Sequence, residues 1–344
     1  MSITTKQRME TALTGGTPDI TPLSIYSWMI DDLNAPQWRN LVERGLGLCE
    51  HCWVAKRIEH GVEERHIEET RGASKYVTRI KSTPVGEISE LYVDGWHTEY
   101  WIKSEPDYKI MQWIVENTEL VADFDAYEKA EQIVGDNGLA VVTGFRSPAM
   151  SINVDWAGTE QFCCDLALEA PELFDLYQAQ KKLFIEETQI IASGPGKFVK
   201  WLENLTISML GPKRYRELLI PVYEHCVPIL ENSGKRVMVH YDGALDVIKD
   251  DIAQAPFHII ESLTEPPEGD MAYDQCRIAW PDKSFWANIN IDCYYLPEED
   301  LKEQVAAKRE RAGKRGLAFE ISEDLPANWL ESVPVVLETL NELH

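Results

Sequence analysis

Residues 236–247 read RVMVHYDGALDV. Val237 to Val239 form an apolar run without alternation, and the run stops on His240, followed by Asp242 and Gly243. An apolar run of this length reads as a strand buried on both faces, the usual state of a parallel strand covered by helices. In an extended segment the side chains of His240 and Asp242 point the same way. The stretch therefore predicts a parallel sheet with helices around it, and polar groups gathered where its strands end.

The rest of the chain repeats this pattern. Candidate strands are Ile20 to Tyr26, Leu46 to Cys49, Ala140 to Phe145 and Phe198 to Leu205, then Arg236 to His240, Phe257 to Ser262, Ser284 to Ile291 and Leu317 to Ile321. Helical patterns lie between them: Thr159 to Ser193 with a break at Pro171, Pro212 to Glu231, Pro297 to Ala312 ending near Gly313, and a last helix after Pro326. Proline near a helix start and glycine past its end fit the chemistry of helix termini. Strands alternating with helices in this number predict an α/β fold, a (β/α)8 TIM barrel. Residues 76–100 depart from it. They read as two strands, VTRI and ISELYV, turning at Pro84 to Gly86, a β-hairpin inserted between the second and third barrel strands. We expect one domain over residues 1–344; a separate unit built from the first 130 residues is the alternative.

Bulk properties narrow the function. Of 344 residues, 58 are acidic and 33 basic, a formal charge of -25. Nucleic acid needs a basic footprint and an anionic membrane surface needs a basic patch, so neither is an expected partner. The start, MSITTKQRMETAL, has no apolar secretory core, and no run of about 18 apolar residues offers a membrane span. Seven scattered cysteines suit a reduced, cytoplasmic protein.

In a barrel of this kind, chemistry sits at the C-terminal strand ends. The strand ends here carry Arg146, Glu203 with Asn204, His240 with Asp242, Glu261, Asn288 with Asp292, and Glu320 followed by Glu323 and Asp324. Each alone reads as a cap, turn former or satisfied packing residue. Together, one imidazole among several carboxylates is the donor set of a zinc site that keeps one position open. We take His240, Glu203, Glu261 and Glu320 as the expected metal ligands, with Asp242 and Glu323 in reserve. His240 and Asp242 are also the expected catalytic pair, and Tyr26, Trp28, Arg146, Asn288 and Glu323 the expected substrate contacts. Trp201 and Trp286 fit either the pocket or the core. The rival is a metal-free cluster whose shifted pKa values serve as acid and base.

The order of TKQRMETALTGGTPDITPL, HYDG, ESLTEPPEGD, AWPDKSFWANI and GLAFEISEDLP resembles the uroporphyrinogen decarboxylase superfamily over nearly the full length. True decarboxylases of that superfamily carry an arginine-rich segment after the first strand. Here that place reads SIYSWMIDDLNA, with no arginine and two aspartates. The cobalamin-dependent methyltransferase branch resembles the chain better. It binds zinc through a His-x-Cys pair and a later Cys. His240 matches the histidine, Asp242 stands at the first cysteine position, and the second falls near Glu323. Oxygen in place of sulfur makes a harder site, suited to polarising an ether oxygen. The resemblance thus implies a substrate-side O-demethylase. It would pass a methyl group from a methoxylated aromatic compound to the Co(I) cobalamin of a separate corrinoid protein, with zinc as Lewis acid; a homodimer is compatible. The alternatives are a metal-free decarboxylase or lyase of a small carboxylic acid, and a silent barrel that only binds a partner.

Four other features fit structure better than chemistry. CEHC, Cys49 to Cys52, is a lone CxxC without a second pair. Cys163 and Cys164 read as helix filling. KRERAGKR, Lys308 to Arg315, reads as a solvated helix face, with docking of an acidic partner as the alternative. SGPG, Ser193 to Gly196, lacks the lysine of a phosphate loop.

Overall fold

A computed structural model describes residues 3–343. Eight parallel strands close a barrel: β1 (Leu23–Tyr26), β2 (Gly47–Cys52), β3 (Gly138–Gly144), β4 (Phe198–Trp201), β5 (Arg236–His240), β6 (Ile259–Leu263), β7 (Ser284–Asn288) and β8 (Leu317–Glu320). Neighbours pair in chain order, and β8 closes on β1. All eight coincide with the runs read from the sequence. β1 and β2, both within the first 130 residues, are strands of this barrel.

The interior is layered by the two-residue period of a strand. Phe198, Met238, Ile259, Trp286 and Ala318 face an apolar floor with Cys49 and Val141. Two residues further along the same strands stand Lys200, His240, Glu261, Asn288 and Glu320, all buried. Apolar side chains thus fill the lower half and polar ones the upper half. Helix α1 (Thr5–Leu13), started by a capping box between Thr4 and Gln7, lays Met9, Ala12 and Leu13 against that floor. The helix covers the floor at the N-terminal end, below the polar layer. Gly138 is needed where β3 begins, since a Cβ there would stand 2.0 Å from the Leu48 carbonyl oxygen.

The insertion after β2 is larger than the expected hairpin. Strands Ser74–Thr83 and Gly86–Val93 form that hairpin, but Glu63–Arg71 and Trp96–Glu99 extend it to a four-stranded antiparallel sheet. A second pair, Ala55–Glu59 with Thr118–Ala122, ties its base. Glu63–Arg71 reads EERHIEETR and is exposed at every position, so it has no buried face and no apolar alternation to betray it. It is held by backbone pairing and by cross-strand ion pairs such as Arg79 with Glu64 at 3.0 Å.

The basic run also differs from its expectation. Lys308 is buried and donates to Glu265 at 3.0 Å and to Asn290 at 2.5 Å, while Arg311 binds both Glu265 oxygens. This half of the run clamps helix Glu298–Ala312 to the loop after β6 rather than facing solvent. Among the described residues no helix is long and apolar enough to cross a membrane.

Candidate functional site

The site is organised around Glu261, near the end of β6. Its Oε1 accepts from Lys200 Nζ at 2.6 Å and from the Tyr26 hydroxyl. Its Oε2 meets His240 Nδ1 at 2.7 Å. A carboxylate accepts only, so Nδ1 carries the hydrogen, and this fixes the ring's orientation. The other ring nitrogen, Nε2, faces Glu323 Oε1 at 3.3 Å and Asp242 Oδ2 at 3.8 Å. These three donor groups lie within 4.8 Å of one another. Two ligands each ~2.0–2.1 Å from a tetrahedral zinc stand about 3.3 Å apart, so the spacing suits one small cation.

Glu323 is placed by a bulge. Pairing of β6 with β7 slips between Glu261 and Leu263, and Ser262 takes φ 60, a left-handed conformation costly for a residue with a Cβ. The slip lets Glu261 point inward while the Ser262 hydroxyl donates to Glu323. Asn288 Nδ2 donates to the Ser262 oxygen at 2.7 Å and fixes it from β7. The HYDG glycine serves close packing, not a left-handed turn: a Cβ on Gly243 would meet Thr206 at 2.3 Å.

Charge follows from these contacts. Burial alone would lower the His240 imidazole, but Glu261 outweighs it and holds the group at about 9. Burial opposes ionisation of Glu261, yet Lys200 and His240 hold it well below the carboxylate range. Glu320 is the reverse case. It is fully buried, none of its oxygens has a formed hydrogen bond among the described residues, and burial plus the Glu261 charge keep it protonated far above the ordinary range. Burial raises Asp242 despite His240; Glu323, also buried against, is lowered by His240. Held at about 9, the His240 imidazole is cationic at neutral pH, and a cation bound between it, Asp242 and Glu323 would take the place of its proton.

Of the four ligands expected from the sequence, the structure brings His240 to the cluster directly and Glu261 behind it. The reserve pair, Asp242 and Glu323, lies with His240 within 4.8 Å, and Glu203 and Glu320 lie outside that group. Glu203 accepts from the Ser147 amide at 3.2 Å, the Ser147 hydroxyl at 2.7 Å and the Tyr223 hydroxyl at 3.0 Å. It sits past the end of β4 and turns with Trp201 toward the helical layer, where Trp201 stacks on Tyr223; burial raises it to about 7. Glu320 lies one layer below the mouth. Arg146 is engaged by Asp155 at 3.0 Å and Asn204 at 2.5 Å. Asn288 donates to Ser262, whose hydroxyl donates to Glu323. Trp201 and Trp286 are both core. Trp28 is 66% exposed and stacks on Tyr26 at 5.8 Å, at the rim.

The sequence reading missed Lys200 and His51. Lys200 follows Phe198 by two residues, as His240 follows Met238 and Glu261 follows Ile259, so the same stagger marked it. His51, inside the discounted CEHC, follows Cys49 by two and shares its inward side.

Fold and site together define a parallel (β/α)8 barrel with an imidazole and two carboxylates converging at its C-terminal mouth. No family model matches the chain, and no curated protein does. Solved structures similar to it include the pneumococcal virulence factor StrH, studied for N-glycan recognition and hydrolysis. That structure shares 11% identity, with a TM-score of 0.42, over 97% of this chain and 85% of that one. A second, of the tandem GH20 catalytic modules of the same pneumococcal exo-β-D-N-acetylglucosaminidase, shares 11% identity, with a TM-score of 0.40, over 97% and 84%. A likeness this faint carries nothing about chemistry.

Proposed function

We propose that this protein is the substrate-side methyltransferase of a corrinoid system, an O-demethylase that moves a methyl group from a methoxylated aromatic compound to the Co(I) corrinoid of a separate protein. The observation that supports it is the division of labour at His240. One ring nitrogen is fixed by a buried carboxylate at 2.7 Å, and the other is turned toward Asp242 and Glu323 at the mouth. That is how a metal-binding histidine is held. His240, Asp242 and Glu323 would hold a zinc ion, and Glu261 would orient His240 without touching the metal.

A zinc ion held by one nitrogen and two oxygens would supply hard Lewis-acid chemistry for an ether oxygen. The rest is the work of the chain. Glu261 keeps the Nδ1 hydrogen, so Nε2 is the nitrogen offered at the mouth. Lys200 neutralises Glu261 and keeps its charge from adding to the cluster. Ser262 and Asn288 hold Glu323 in place. Trp28, exposed at the rim and backed by Tyr26, offers an aromatic face suited to a planar ring.

A second reading draws on the imidazolium of the metal-free site: with His240 at about 9 beside Asp242 and Glu323, the cluster can serve as acid and base for decarboxylation of a small acid. Metal analysis and a transfer assay separate the two. The first reading expects about one zinc per chain, lost in His240→Ala, and methylation of cob(I)alamin by a methoxylated aromatic. A chain that retains no zinc and methylates no cob(I)alamin refutes it.

A further inference from the structure

Strand Glu63–Arg71 is the outermost strand of the inserted sheet. Its pairing with Ser74–Thr83 runs without a bulge from Arg71 opposite Ser74 to Glu63 opposite Ser82. Its other edge has no strand beside it, and all nine positions are exposed. Natural sheets guard such an edge with a very short strand, a proline or a bulge, and Glu63–Arg71 has none of these. Charge is the remaining guard, and it works by repelling a second strand. Nothing within the chain constrains the order of these residues, so the order itself is informative.

The backbone sets which residues face the open edge. Gly72 (φ 65) and Ala73 make a two-residue turn, which closes on a pair that exchanges backbone hydrogen bonds, here Arg71 with Ser74. The next residue agrees: the Lys75 carbonyl accepts from the Asp94 amide at 2.8 Å, so Lys75 bonds to the opposite neighbour. By alternation Glu63, Arg65, Ile67, Glu69 and Arg71 bond inward, while Glu64, His66, Glu68 and Thr70 turn their N–H and C=O groups to the open edge. Among the described residues no backbone group outside the sheet bonds to these four.

A second copy of the strand, running antiparallel, has to pair these four among themselves, so its register can shift only in steps that keep them opposite one another. Centred on Ile67, the pairing sets Glu63 against Arg71, Arg65 against Glu69, Glu64 against Thr70, His66 against Glu68 and Ile67 against itself. No like charges meet, and two-fold symmetry makes each unlike pair twice. The neighbouring registers fail. Centred on His66, Glu63 meets Glu69 and Glu64 meets Glu68; centred on Glu68, that residue meets itself and Arg65 meets Arg71. Ile67, 43% exposed, would cover its own copy at a position without backbone bonds, where paired strands stand closest. The present partners of these charges, Glu87 for Arg65 and Glu69 for Arg71, are exposed pairs at 2.7 Å that yield at little cost. With a formal charge of -25, two copies repel over most of their surface, and a strip of matched charge is where they can approach.

We infer that Glu63–Arg71 is a self-recognition edge, through which two copies of this chain pair antiparallel about Ile67 and join their inserted sheets into one. The inference does not depend on the methyl-transfer reading.

Sedimentation velocity of the full chain at about 1–200 µM tests it. We expect a reversible monomer–dimer equilibrium. His66→Pro removes an outward donor and leaves the inward ladder, so it should abolish the dimer. Arg65→Glu sets carboxylates against each other twice, and Glu69→Arg does the same with guanidinium groups; each alone should weaken self-association about ten-fold. Mixed together, the two variants are complementary at both contacts, and the mixture should form heterodimers about as tightly as the wild type pairs with itself. Circular dichroism checks that each variant is folded; if His66→Pro is not, the charge-reversed pair decides by itself. A chain that stays monomeric refutes the inference, as does a dimer that a folded His66→Pro leaves intact, or a mixture that associates no better than either variant alone.

Discussion

Replacing Glu261 by glutamine is the most informative perturbation, because three other groups depend on that carboxylate. The amide removes the charge but keeps the size. His240 stands at about 9 in the metal-free protein against an ordinary 6.5, and a gap of that size corresponds to about 3 kcal/mol of favourable interaction. The folded value lies above the unfolded one, so this stabilisation is present below about pH 6.5 and is lost as pH rises through about 9. Lys200, buried with its Nζ 2.6 Å from Glu261 and 3.1 Å from the Tyr26 hydroxyl, keeps oxygen acceptors but loses its counter-charge. Breaking a buried pair in this way costs about 3–5 kcal/mol. Glu320, freed of repulsion from Glu261, can ionise beside Lys200, so Glu261→Gln with Glu320→Gln should lose more than the two single losses predict. Urea unfolding with a chelator present, at pH 6 and pH 9.5, measures the effect. We expect Glu261→Gln to be destabilised at both, by about 3 kcal/mol more at pH 6. A competitive chelator titration should show zinc affinity down about 10–100-fold. Equal destabilisation at the two pH values, or an unchanged zinc affinity, would refute the account of Glu261 given above.

The remaining predictions concern the other groups. Asp242→Asn and Glu323→Gln should each lower zinc occupancy measured by elemental analysis, while Glu203→Gln should leave it unchanged, since Ser147 and Tyr223 engage that carboxylate. Zinc binding displaces the His240 proton, so apparent affinity should rise about ten-fold per pH unit from pH 7 and level off above about 9; a flat profile would remove His240 from the ligand set. Ser262→Ala should weaken zinc binding several-fold in the same chelator titration, because Glu323 and Asn288 both lose the hydroxyl between them. Lys308→Met, which breaks the buried contact with Glu265, should cost about 3 kcal/mol or more in urea unfolding; a neutral result would return the basic run to the solvated face first expected of it.

The fold was legible in the sequence because a strand covered on both faces must be apolar along its length, and eight such runs separated by helical patterns admit few architectures. His240, Asp242 and Glu261 were legible as well, since a polar residue ending an apolar strand stands out against its neighbours. The exposed strand Glu63–Arg71 was hidden because nothing buries its side chains, so its composition is free. Lys200 and His51 were hidden because one polar residue within an apolar or cysteine-bearing run reads as packing until its partner is known. The choice between Asp242 with Glu323 and Glu203 with Glu320 lay beyond the sequence. It turns on where each strand stops relative to the barrel layers, and on the slip at Ser262 that aims Glu323 at His240. Composition and periodicity determine which elements form and which faces they bury. Only the closing of the barrel brings β1, β4, β5, β6 and β8 within a hydrogen bond's reach of one another, and the charge balance of the mouth exists only once that has happened.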